Sequence, residues 1–412
     1  MPGQENMGQE RKKRLELLAP AGDRAGLQAA LRFGADAVYV GGPALQLRAA
    51  SAGFTMEGLA EAAAAAHAAG KRLYVTVNAF AENDELAALA PYARALHALG
   101  ADAAIVSDLG ALLTIREACP ELEIHVSTQA NCMNYRAAAH YHALGAKRVV
   151  LARELSLPEI RKLRDNTPPE LELEAFVHGA MCMAYSGRCL LSAFLAGRSG
   201  NRGSCAQSCR WSYRLQEEKR PNEFYTVEET ENGSAILSAF DLNASGLLDQ
   251  LAAAGVSAFK IEGRLKSEFY IAGAVNAYRM ALDGTADRAA VEAELAAISH
   301  RPYCTGFYEG PVHGQAWDGA YLGDCRYVGL VTGDADAEGF CTVQAKNRIF
   351  VGDTLELLSP GRPGQPFAVT ALLDEAGQPL PCINHPGRSV RLLGAPWAGT
   401  GDLLRRRGGR DA

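Results

Sequence analysis

Five times in the first 260 or so residues an alanine-rich stretch ends in glycine and passes at once into an apolar, strand-like run: LRFGADAVYV, HAAGKRLYV, HALGADAAIV, HALGAKRVVL and AAAGVSAFKI. Gly34, Gly70, Gly100, Gly145 and Gly255 suit the left-handed position that closes a helix, because glycine carries no Cβ to clash there. A chain that repeats helix, glycine and strand cannot pair successive strands as hairpins. Its strands must run parallel, joined by helical crossovers. Eight strand-like runs are present: LELLAPA, DAVYVGG, RLYVTVNA, AAIVSD, EIHVSTQA, RVVLARE, LEAFVHG and SAFKIEG. Eight is the number a (β/α)8 barrel needs, and no G-x-G-x-x-G follows the first run as a doubly wound dinucleotide fold would require.

The predicted architecture is therefore α/β: a TIM-like barrel over residues 15–284, interrupted after its seventh strand by an insertion at 179–240. Residues 1–14, polar and charged, read as a disordered tail. A helical linker is expected at 285–324. From 325 to 405 the texture changes to short alternating runs, YVGLVTG, FCTVQAKN, DTLELLSP, FAVTALLD and SVRLLG, with turn residues about every ten positions. That pattern predicts a small all-β barrel. The closing LLRRRGGR reads as a solvated basic end, with RNA contact as the alternative.

The insertion carries Cys182, Cys189, Cys205 and Cys209, spaced C-x6-C-x15-C-x3-C among glycines and arginines. Zinc sites favour pairs at C-x2-4-C, and only Cys205 with Cys209 meets that spacing. A 4Fe-4S cluster tolerates wider and less regular spacing. The cluster is the preferred reading, with zinc and scattered reduced thiols as alternatives. Arg188, Arg198, Arg202, Arg210 and Arg214, with Trp211 and Tyr213, add a cationic, aromatic surface suited to stacked bases and phosphates, or to offsetting the thiolates.

In a barrel, residues at strand ends face the mouth where active sites are built. Asn78, Asp108, Gln129, Glu154 and His178 close predicted strands or lie near their ends. KIEGRLK packs Lys260, Glu262, Arg264 and Lys266 into one short stretch, and strand alternation points Lys260 and Glu262 the same way. Arg264 has the planar fork that clamps a carboxylate or phosphate, and Arg48 is a second anion-binding candidate beside Tyr39. His178, Lys260, Glu262 and Arg264 are the expected catalytic group; Tyr39, Arg48, Gln129 and Glu154 are the expected substrate-binding group. An ion-pair network and a hydrogen-bonded structural histidine are the competing readings.

Ten cysteines without a secretory hydrophobic segment indicate a reducing, cytoplasmic setting, and no run is long and apolar enough to span a membrane. Net charge is −6, so contact with nucleic acid must come from a local basic patch. Neither H-E-x-x-H nor G-x-S-x-G occurs, and nothing in the residues supports proteolysis.

The phrases LLAPAGDRAGLQAALRFGADAVYVGG, STQANCMN, FVHGAMCMAYSGRCLLS, GRSGNRGSCAQSCRW, KIEGRLKSEFYIAGAVNAYR and FVGDTLELLSP resemble peptidase family U32, the collagenase-like proteins, over residues 15 to about 405. The resemblance implies an oxygen-independent hydroxylase that uses an iron–sulfur cluster and takes its hydroxyl oxygen from prephenate. Within the family, the branch of this length is similar to the tRNA hydroxylation proteins that make 5-hydroxyuridine at the wobble position. The resemblance also implies that Cys182, Cys189, Cys205 and Cys209 occupy cluster-ligand positions. One departure stands out: where many relatives have cysteine after Asp-Leu, SAFDLNASG has Asn243. A partner subunit in a heteromer with a related protein, holding a cluster or zinc without catalysis, and a peptidase are the alternative readings.

Overall fold

The alternation of helix and strand closes into a barrel. The computed structural model describes residues 15–47, 53–181, 191–198, 204–208, 214–216, 224–226, 229–230, 233–234, 240–310 and 321–408. The parallel strands are β1 Glu16–Pro20, β2 Ala37–Gly41, β3 Arg72–Val77, β4 Ala103–Val106, β5 Glu123–Val126, β6 Arg148–Val150 and β7 Glu172–Ala180, then β9 Ala258–Ile261. They pair in chain order, and β9 closes the ring by pairing with both β7 and β1. All eight strand-like runs of the sequence are barrel strands. Between β7 and β9 lies β8, Asp241–Asn243, which runs antiparallel to the projecting end of β7, with β10, Tyr303–Cys304, beyond it. Sequence periodicity missed both, because strands of two or three residues are too short to show alternation.

The glycine joints do what the sequence asks. Gly34, Gly70, Gly100, Gly145 and Gly255 have φ between 67° and 102°, the left-handed region. The intervening helices are conventionally capped: Asp108 accepts from Ala111 N at the start of the helix Leu109–Ala118, and Asn134 accepts from Ala137 N at the start of Tyr135–Ala143. Asp108 is thus a cap, not a member of the site.

Inside the barrel, Leu18, Ala37, Tyr39, Tyr74, Ala103 and Ile105 form an apolar cluster. At the starts of the strands the interior turns ionic. Arg148, 3 % exposed, reaches Glu16 at 2.6 Å, Glu172 at 2.7 Å and Glu174 at 3.0 Å, while Tyr74 donates to Glu16 at 2.8 Å. A buried charge this well partnered is tolerated, and breaking its pairs costs about 3–5 kcal/mol.

The chain divides into two compact units, one holding the barrel strands (residues 1–27, 35–266 and 301–321) and one made of residues 28–34, 267–300 and 322–412. The second unit contains the helices Glu268–Asp283 and Arg288–Ala297 and a sheet of β11 Cys325–Gly333, β12 Phe340–Ala345, β14 Thr354–Leu358, β15 Gln365–Ala368, β16 Ala371–Leu373, β17 Pro379–Leu380, β19 Ser389–Leu393 and β20 Leu403–Arg407. A two-stranded ribbon pairs β13 Ile349–Phe350 with β18 Cys382–Ile383. The sheet order is β15-β14-β20-β11-β12-β19-β16-β17, antiparallel throughout, an open half-barrel over one apolar core. FAVTALLD is two strands rather than one.

The basic end is the larger correction. Leu403–Arg407 is an interior strand between β14 and β11, not a solvated tail. Arg405 is fully buried, with its fork on both oxygens of Glu294 at 2.7 Å and its Nε on Glu356 at 2.7 Å. Charge alone reads as exposure, but carboxylates from two other elements meet this guanidinium. No helix among the described residues is long and apolar enough to cross a membrane.

Candidate functional site

A pocket opens among the C-terminal ends of the strands, lined by residues of β2, β3, β4, β6, β7 and β9 and of the loops that follow these strands and β5. Its lining includes Tyr39, Thr76, Asn78, Gln129, Arg153, Lys260, Glu262 and Arg264.

Lys260 sits at its floor. Strand alternation puts Lys260 and Glu262 on the inner face, and the ladder with β7 slips between Lys260 and Ile261, so that Lys260 lies opposite Phe176 and Ile261 opposite His178. Irregularities of this kind re-aim side chains near active sites. The Lys260 ammonium donates to Glu174 at 2.7 Å and lies 4.4 Å from the centre of the Tyr39 ring. Burial draws its pKa below the usual lysine range, with Glu174 and then Glu262 opposing. Tyr39 donates to Ile261 O at 3.0 Å, and burial pushes its phenol well above the ordinary value, so it stays neutral.

Arg264, 6 % exposed, donates to Thr76 Oγ1 at 2.9 Å and to Gln46 Oε1 at 3.2 Å. Across the lining, Arg153 donates to Ala180 O at 2.8 Å and meets Glu262 at 3.4 Å, with its guanidinium 3.9 Å from the centre of the Phe176 ring. Two guanidinium forks and an ammonium thus serve one small cavity, with Glu262 as the lining carboxylate. The arrangement can bind an anion with more than one acidic group and orient it by hydrogen bonds from Arg264 and Arg153.

Of the expected residues, Tyr39, Gln129, Lys260, Glu262 and Arg264 come together here, and Asn78 joins them. Gln129 is carried by the turn Thr128–Ala130, followed by Asn131 in the left-handed region. His178 and Glu154 do not line the cavity. His178 is 1 % exposed on the part of β7 that pairs with Asn243, its ring centre 5.5 Å from that of Tyr303. Glu154 lies one residue past Arg153, with one carboxylate oxygen buried and without a hydrogen-bond partner among the described residues. Arg48, Cys182, Cys189 and Cys209 lie outside the described residues. Cys205 is half-buried, and its sulfur accepts from Gln207 N at 3.3 Å.

Sequence reasoning missed Arg153, Thr76 and Gln46. Thr76 was within reach, since it shares a strand face with Asn78 in VTVNA. Arg153 and Glu154 both follow β6, where alternation no longer decides which of two neighbours turns inward.

Residues 22–318 match the family model for Peptidase family U32, and residues 324–405 match that for the Peptidase family U32 C-terminal domain. The chain is 36% identical to tRNA hydroxylation protein P of Escherichia coli (strain K12), over 92% of this chain and 93% of that one. It is 36% identical to tRNA hydroxylation protein P1 of Bacillus subtilis (strain 168), over 92% of each. A third relative, the 23S rRNA 5-hydroxycytidine C2501 synthase of Escherichia coli (strain K12), is 39% identical over 66% of this chain and 39% of its own length. With both models matched in order along one chain, the protein belongs to peptidase family U32.

Proposed function

We propose that this chain is an RNA hydroxylase, and in its finer form a tRNA-modifying enzyme that makes 5-hydroxyuridine at the wobble position without molecular oxygen, with prephenate as hydroxyl donor. Similarity to two tRNA hydroxylation proteins over more than nine tenths of each chain supports the reaction class. The observation that carries the enzymatic reading is the mouth pocket, onto which Arg153, Lys260 and Arg264 converge. Prephenate is a dicarboxylate, and two forked guanidinium groups match two carboxylates. In this reading Arg264 and Arg153 bind and orient the donor, Tyr39 stays neutral, and Lys260 holds positive charge beneath it.

A 4Fe-4S cluster on Cys182, Cys189, Cys205 and Cys209 would supply the redox chemistry. The Cys205 sulfur already accepts a backbone hydrogen bond, as ligating thiolates do. Asn243 fits a ligand set that does without it. Its side-chain oxygen accepts from Ser245 N at 3.1 Å, which shapes the turn after β8.

Anaerobic purification followed by a visible spectrum distinguishes a cluster from zinc, which is colourless. Arg264→Ala is expected to keep that spectrum and lower hydroxylation at least a hundredfold, on the order of 3 kcal/mol of lost binding and orientation. Activity within threefold of wild type removes Arg264 from the site.

A further inference from the structure

The second unit carries a basic, aromatic edge that the mouth chemistry does not use. In the strand β13, Ile349 is fully buried while its neighbours Arg348 and Phe350 are exposed, Phe350 by 43 %. Alternation sends these two side chains to the same, outward side. The adjoining Val351 is also 43 % exposed. The ribbon with β18 brings a second loop alongside: Ile349 pairs with Ile383, and farther along Ala345 donates to Arg388 O at 2.9 Å and accepts from Gly387 N at 2.7 Å. Arg388, exposed, therefore lies opposite Ala345, three residues before Arg348 on the facing segment.

From β20, Arg406 donates to Arg348 O at 2.9 Å, and Arg326 is its register partner on β11. Asp353 is the carboxylate on this edge that these hydrogen bonds reach, and it is already engaged by Arg406 and by Phe350 N. Neither Arg348 nor Arg388 has an ion-pair partner among the described residues. Guanidinium groups left without carboxylates, on a chain whose net charge is −6, mark a local site for a polyanion. An exposed phenylalanine on the same face as Arg348 is what single-stranded nucleic acid uses as a stacking platform.

We propose that this edge, built on Arg348, Phe350 and Arg388, grips a single-stranded segment of the RNA substrate. Arg348 and Arg388 hold phosphates and Phe350 stacks a base. The identity of the polyanion rests on the RNA-hydroxylase reading; the surface itself rests on the exposure and pairing described above.

The test uses the full chain and a fluorescent tRNA transcript, with affinity measured across salt concentrations. Wild type should bind with a steep loss of affinity as salt rises. Arg348→Ala combined with Arg388→Ala should weaken binding at least tenfold at about 0.1 M salt and flatten the logarithmic salt slope by about 1.4, roughly 0.7 for each phosphate that is no longer neutralised. Phe350→Ala should weaken binding at least fivefold and leave the slope unchanged, the signature of a missing stacking platform. All three side chains are exposed, so unchanged melting temperatures are expected to certify folding. Variants that bind the transcript with wild-type affinity and slope overturn the proposal, which is also the outcome if the edge serves a protein partner. A wild-type chain that binds no RNA overturns it too. Hydroxylation by a chain whose edge variants bind normally rejects the edge alone; edge-dependent RNA binding without hydroxylation rejects the enzymatic reading alone.

Discussion

Glu174 is shared by two cations, Arg148 at 3.0 Å on the side of the strand starts and Lys260 at 2.7 Å on the side of the mouth. The carboxylate is wholly buried, and burial alone would raise its pKa; Lys260 and then Arg148 outweigh that and hold it below the usual range. This chain of charges ties the ammonium at the cavity floor to the barrel's ionic base. The pairing was half legible: alternation put Lys260 and Glu262 on one face, but no local pattern says that Glu174, on a strand 86 residues away, is the partner. At the base, Glu123 offers a direct test. It is drawn down to about 2, first by His125 at 3.5 Å and then, against partial burial, by the Arg72 guanidinium at 2.6 Å. A carboxyl whose folded pKa lies below its unfolded value of 4.5 contributes stability that is present above pH 4.5 and lost as pH falls toward 2. Melting temperature followed from pH 6 to pH 2.5 should therefore fall less steeply in Glu123→Gln than in wild type. Parallel curves for the two would remove Glu123 from the acid transition.

Helix-ending glycines made the barrel readable, because a left-handed residue can be recognised from its neighbours. Their surroundings were not readable, and they set different costs. Gly70 has φ of 67° with nothing within 4 Å of where a Cβ would stand. Gly255 has φ of 97°, and a Cβ there would lie 2.4 Å from Cγ of Arg164, whose guanidinium is fixed on the carbonyls of Leu171, Thr167 and Pro168. Gly70→Ala should cost about 1–2 kcal/mol from backbone strain alone. Gly255→Ala should cost about 1–3 kcal/mol more, since Arg164 must leave its bonds or the turn must shift. Denaturant midpoints for the two variants check the ordering, and equal losses would refute it. LLRRR shows the opposite failure: three consecutive arginines signal solvent, and the Glu294, Glu356 and Asp353 carboxylates from distant segments make an interior strand of them.

On the scale of the molecule, an alternating first part and an all-β second part were both visible in the texture of the sequence, since helix–strand alternation and short turn-punctuated strands are local properties. The site was visible in so far as it lies on strands. Tyr39, Lys260 and Glu262 follow from alternation, while Arg153 and Gln46 come from loops whose direction only tertiary packing decides. The cysteine positions, read from spacing and family resemblance, remain the proposed source of redox chemistry, and the mouth cavity that of substrate orientation. Both meet in one measurable product. Mass spectrometry of tRNA nucleosides from a strain lacking this gene, complemented with wild type or with Arg264→Ala, tests the hydroxylase reading most directly. The account predicts that 5-hydroxyuridine and its derivatives disappear on deletion, return with wild type and stay absent with Arg264→Ala; an unchanged nucleoside profile in the deletion strain would contradict it.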